Sequence, residues 1–194
     1  RLATPKLELT TGEKTMTRGL LGALLWPAVQ SQPLISARVA LLLSQLGGEG
    51  ETAPTMQVAV DAIAVLRDLR KHPTKLRFHN FASARHWQDM FFVSLGDASH
   101  QNRSTGGSTG GYLLGCTTKE ILDGEAVKMS ILAWKSWKLK RVSIGSNDSE
   151  IQSLVEAEDA LFKARLMWAE LHDAYTDETD YARRADAGVL AVNG

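Results

Sequence analysis

Asp97 follows the apolar run at residues 91–95, and a carboxylate at the end of a buried strand is a good place for a metal ligand. Hydrolysing a phosphodiester with two divalent cations takes several carboxylates converging on one point. Mg²⁺ requires hard oxygen ligands, and the metals must hold both the attacking water and the leaving oxygen. The same Asp equally suits a turn, where its side chain bonds the backbone just beyond it. Glu150 is the second acid of interest. At about 100° per residue it lies beside the line of Leu154, Leu161 and Trp168, the helix face expected to cover a sheet. Its carboxylate is therefore expected to point toward the strands. With Asn147 three residues earlier it also fits a capping box, which involves no catalysis, and Asp148 is then a solvated first-turn acid favoured by the helix dipole.

A different chemistry is suggested by residues 134–141, where Lys135, Trp137, Lys138, Lys140 and Arg141 interleave cations with aromatic rings. Such a patch can hold phosphates and stack on sugars or bases. It also reads as an edge strand whose lysines discourage pairing while its tryptophans enter the core. The glycine-rich residues 106–111 lack the Gly-Lys-Ser/Thr ending of a phosphate-binding loop and open no helix, so a hairpin loop is the better reading. His72, His79, His86, His100 and His172 show no metal-ligand spacing on a helix and are assigned no site. Glu158 and Arg165 interrupt an apolar helix face and are expected to pair.

The elements that must position these groups change character along the chain. Residues 1–15 are polar, without period, and read as a linker or arm. From Arg18 the apolar spacing is helical, a second helix follows Pro33, and a third runs from Met56 to the stop at His72-Pro73. Residues 75–79 alternate like a half-buried strand; residues 90–95, 112–116 and 129–134 suit three more, and residues 150–171 form a long amphipathic helix. The order strand, strand, strand, helix predicts an antiparallel meander crossed by a helix, an α/β arrangement.

Composition narrows the classes. Lys plus Arg and Asp plus Glu both number 22 in 194 residues, so any nucleic-acid role rests on a local patch rather than on net charge. Cys116 is the only cysteine, which excludes an intrachain disulfide and a cysteine-built zinc site and fits a reducing compartment. The apolar stretch at residues 20–29 is too short for a membrane span and contains Pro27, so no membrane partner is expected. The first residue is Arg1 rather than Met, and both ends read as cuts from something longer.

Taken in order, several blocks resemble the copia-type retrotransposon Pol polyproteins. Arg18-Gly19-Leu20-Leu21-Gly22-Ala23-Leu24-Leu25-Trp26 looks like that family's "GSLLYL" helix, and Gln32-Pro33 with residues 37–44 is similar to its "TRPDIAFAVSLLS" segment. Residues 58–69 look like "AAKRVLRYLKGT", residues 94–98 like "YSDAD", and Ser108-Thr109-Gly110-Gly111-Tyr112 like "STSGY". Trp134-Lys135-Ser136-Trp137-Lys138 matches "SWSSKKQ" in part, and residues 146–154 are similar to "SSTEAEYIAL".

The resemblance implies a linker at 1–15, a helical reverse transcriptase connection at 16–88 and a partial RNase H-like domain at 89–194. It implies that Asp97 and Glu150 are the first and second acids holding Mg²⁺ or Mn²⁺ in a ribonuclease that cuts the RNA strand of an RNA/DNA hybrid. Residues 134–141 would then lie near the hybrid backbone. The remaining Pol polyprotein would be the protein partner, and the location intracellular, in a cytoplasmic particle or the nucleus. The chain departs from the pattern at Ser99, where the family has its second "DAD" acid, at Gln32-Pro33-Leu34 and at Asp148. The family's third and fourth acids come after the long helix. Residues 189–192 would only begin that strand, and Asp173, Asp177, Asp180 and Asp186 stand in the wrong context to replace them. The expectation is weak metal binding and no nuclease activity from this segment alone. The alternatives are a degenerate RNase H-fold module that only binds nucleic acid or protein, and an unrelated α/β binding domain.

Overall fold

The computed structural model of the chain describes residues 1–81, 89–103 and 106–172. Its α-helices are α1 (Thr11–Gln30), α2 (Pro33–Gln45), α3 (Met56–Lys71) and α4 (Ser146–His172), and its strands are β1 (Met90–Ser99), β2 (Thr109–Thr118) and β3 (Ser130–Lys138). The strands form an antiparallel sheet in the order β1-β2-β3, so the protein is mixed α/β. The chain divides into two compact units. One comprises Arg1–Leu76, Ala98–Gly110 and Lys135–Ser149; the other comprises Arg77–Asp97, Gly111–Trp134 and the chain from Glu150. No helix among the described residues is long and apolar enough to cross a membrane.

In the first unit, α1, α2 and α3 close around Leu21, Val39 and Val65, each fully buried, with Leu24, Leu42, Met56 and Ala62 beside them. Full burial of such a side chain contributes about 1.5–3 kcal/mol, which is what holds a three-helix unit of weak individual helices together. Pro33 occupies the first turn of α2, where its missing N–H would have had no partner. Helix α3 ends as its pattern predicts, with the His72 N–H donating to the Asp68 carbonyl.

The stretch expected as a linker or arm, residues 1–15, overlaps a helix from its eleventh residue. Helix α1 begins at Thr11, and Leu9 is buried with its N–H on the Pro54 carbonyl at 2.9 Å. The cause is a capping box. The Glu13 N–H donates to Thr10 Oγ1 at 3.3 Å, while the Thr10 N–H donates to Glu13 Oε2 at 2.8 Å. That backbone donor, then the Thr10 hydroxyl and Arg1, hold the Glu13 carboxyl below its ordinary value. Because the folded pKa is depressed, the contribution is present above the ordinary Glu range and is lost as pH falls through the depressed value. An acid titration followed by NMR should therefore show Glu13 protonating late, and Thr10→Ala should return it toward the ordinary range.

The strand expected at residues 75–79 does not form. The segment is irregular, Phe78 is 71% exposed, and one backbone group, the His79 N–H, is satisfied instead by Ser130 Oγ at 2.8 Å. Alternation without a surface to bury it against does not stabilise a ladder.

The second unit has its own core. Phe92 and Leu114 from the sheet meet Leu161 of α4, and Trp168 stands edge-on to Phe92 with ring centroids 5.6 Å apart. Arg165 is buried on the same helix, with Nη1 3.9 Å from Glu158 Oε1, while Glu158 itself is half exposed. The expected couple is there, buried at one end only.

Candidate nucleic-acid interface

Asp97 lies within β1, which continues past it to Ser99, and is exposed. Alternation assigns its face. A Cβ placed on Gly96 would come within 3.2 Å of the Leu154 and Ala157 side chains of α4, so Gly96 faces the helix and its neighbour Asp97 faces the other way.

Glu150 is also exposed, which corrects the inward orientation expected for it. The buried line of α4 runs through Ser149, Ser153, Ala157 and Leu161, and it meets the expected line of Leu154, Leu161 and Trp168 only at Leu161. Small residues in the first two turns let the helix approach closely. Ser153 Oγ lies 2.6 Å from the Asp97 carbonyl oxygen and 2.8 Å from that of Gly111, and accepts the Gly111 N–H at 3.3 Å. In the other unit, Ser149 Oγ donates to Ser108 Oγ at 3.1 Å and lies 3.2 Å from His100 Nδ1. Both α4 serines are closed to solvent, Ser153 bonded to strand backbone and Ser149 to the Ser108 and His100 side chains.

The cap expected from Asn147 and Glu150 is also displaced. Helix α4 starts at Ser146, and the acid that reaches back is Asp148, whose Oδ2 accepts the Ile144 N–H at 3.0 Å. Among the described residues no three His, Cys, Asp or Glu side chains come together as a metal site. Asp97 and Glu150 are both exposed and have no third acid gathered with them among the described residues, so no hydrolytic step is derived through a metal.

The basic residues behave differently. On β3, Lys135 places its ammonium 4.9 Å from the centroid of the Trp137 ring, a cation–π contact. Trp137 in turn packs over β2. A Cβ on Gly110 would come 2.9 Å from Trp137 Cζ2 and 2.6 Å from Leu139 Cδ2, so only glycine lets these side chains lie across the strand. The ring is thus partly a packing group, as the edge-strand reading expected.

Beyond Trp137 the chain turns cationic toward one place. Lys138, Lys140 and Arg141 line a cleft of about 650 Å³ together with Arg103, Ser108 and Ser143. Lys138, Lys140 and Arg141 are exposed, and no carboxylate lines the cleft among the described residues. A concave surface lined by one sign of charge focuses its field and raises the local concentration of anions.

Two glycines shape one wall of the cleft. Gly106 and Gly107 adopt φ of 78° and 98°, values that side-chain-bearing residues rarely take, and the Gly106 N–H closes a turn on the Arg103 carbonyl at 3.0 Å. Of the residues singled out by sequence, then, Lys138, Lys140 and Arg141 come together, and Lys135 and Trp137 form a pair one step up the strand. Arg103 and Ser108 were missed. Ser108 stood in a recognised glycine-rich stretch, whereas Arg103 carries no periodic signal at all.

No protein-family model matches this sequence, and neither a curated protein nor a solved structure shows significant similarity to the chain.

Proposed function

We propose that this protein is a copia-type retroelement segment whose RNase H-like part binds the backbone of an RNA/DNA hybrid and does not cut it alone. The observation that carries the binding is the cleft that Lys138, Lys140 and Arg141 line together with Arg103. Phosphates dominate the affinity of nucleic-acid binders, and a neutral chain needs its cations gathered on one face to use them. The strand order and the long α4 that follows are consistent with the start of an RNase H-like fold.

In the parent polyprotein Asp97 and Glu150 would be two of the acids of a metal-dependent ribonuclease, completed by acids beyond α4. In this chain Mg²⁺ or Mn²⁺ binds weakly if at all. The reading is tested with a fluorescent RNA/DNA hybrid in anisotropy and gel assays. The expected result is salt-sensitive binding, no Mg²⁺-dependent cleavage, and affinity that Mg²⁺ changes only as its ionic strength does. Cleavage abolished by Asp97→Asn would replace this reading with an active nuclease, and absence of binding at low salt would remove the nucleic-acid role.

A further inference from the structure

We infer that the cleft contains a built seat for one phosphate group, with Arg103 as its anchoring residue. Arg103 is only 7% exposed, and its Nε–H donates to Thr109 Oγ1 at 3.0 Å. Thr109 Oγ1 in turn donates to Asn102 Oδ1 at 2.7 Å, so the guanidinium is held on one edge by a bonded chain of side chains. Its other edge is different. Nη2 is buried and has no hydrogen-bond partner among the described residues.

Buried donors are almost always satisfied, and a buried cation normally has an acid beside it. Arg103 Nη2 lacks the one, and no carboxylate among the described residues that line the cleft supplies the other; the remaining charges there, Lys138, Lys140 and Arg141, are also positive. Burial pushes its pKa down. The missing partner is therefore an anion rich in acceptor oxygens, and a planar fork of N–H groups matches phosphate well. Arg103 lines the cleft, so a phosphate seated there is placed against its guanidinium. A space of about 650 Å³ also leaves room for the sugars on either side of a phosphodiester. The inference rests on the proposed hybrid-binding role only for the polymer that carries the phosphate; free phosphate has the same chemistry.

The test titrates the full chain with inorganic phosphate, at ionic strength matched with chloride, and follows the Arg103 Nε–Hε resonance. The expected result is a saturable shift with phosphate and none with chloride. In calorimetry, Arg103→Gln should weaken phosphate binding at least 10-fold and Arg70→Gln, on α3 and outside the cleft, should leave it unchanged. The wild-type resonance decides the matter even if Arg103→Gln fails to fold. A resonance that does not move, or moves equally with chloride, overturns the seat. If phosphate saturates Arg103 but the hybrid does not bind, the seat stands as a free-phosphate site and the hybrid-binding role fails. If the hybrid binds and Arg103 stays unmoved by either ligand, the seat fails and the hybrid-binding role stands.

Discussion

Leu161→Ala should lower stability by about 2–5 kcal/mol, the usual cost of emptying a fully enclosed leucine site, whereas Leu154→Ala should cost well under half as much. The two leucines look alike in sequence, spaced a heptad apart on one helix. In the structure Leu161 is 0% exposed, enclosed with Phe92 and Leu114, and Leu154 is 36% exposed. Removing Leu161 loses the transfer free energy of its methyl groups and leaves a cavity that the sheet and helix relax into only partly. At Leu154 water already reaches the site, so little cavity forms. Urea unfolding monitored by tryptophan fluorescence suits the comparison, because Trp168 stands against Phe92 in this core. Equal losses from the two variants would contradict the buried line through Ser149, Ser153, Ala157 and Leu161, and with it the outward placement of Glu150.

Replacing Lys138, Lys140 and Arg141 together by glutamine should weaken hybrid binding on the order of 10²-fold at low salt, and the dependence of log K on log salt should become shallower by about 2 to 3. Each cation that neutralises a phosphate releases a counterion, and these residues are exposed and share one cleft. The proper control removes the same charge elsewhere. Arg67, Arg70 and Lys71 are exposed on α3, and their replacement by glutamine should change affinity little. Similar losses from both sets would mean that binding follows total charge rather than the cleft.

The residues explain why some of this was legible in advance. Helices α2 and α3 and all three strands follow apolar period, which is set by burial and is written directly in residue type. The first turns of α1 escaped that reading because a capping box, not an apolar stripe, starts the helix at Thr10 and Glu13. Residues 75–79 misled for the opposite reason. Their alternation is present in the letters, but no surface covers Phe78, and a pattern alone does not form a strand.

The orientation of α4 was misjudged because Ser149 and Ser153 count as polar in any pattern, yet hydrogen bonds to Ser108 and to strand carbonyls let them replace apolar residues at a close helix–strand approach. That one substitution of logic moved Glu150 from the inner face to the outer. The exposed cations of β3 were legible because their spacing with aromatics is local. Arg103 was not, since it is held by a bond to Thr109, itself bonded to Asn102, and by a glycine turn whose geometry only the fold displays.

The most direct test of the central claim is an amide NMR titration of the full chain with an unlabelled RNA/DNA hybrid. The account predicts that shifts concentrate at Lys138, Lys140, Arg141 and Ser143 and at Gln101, Arg103 and Ser108, with α1, α2 and α3 undisturbed. Shifts confined to the helices, with the cleft residues unmoved while the hybrid is bound, would contradict it.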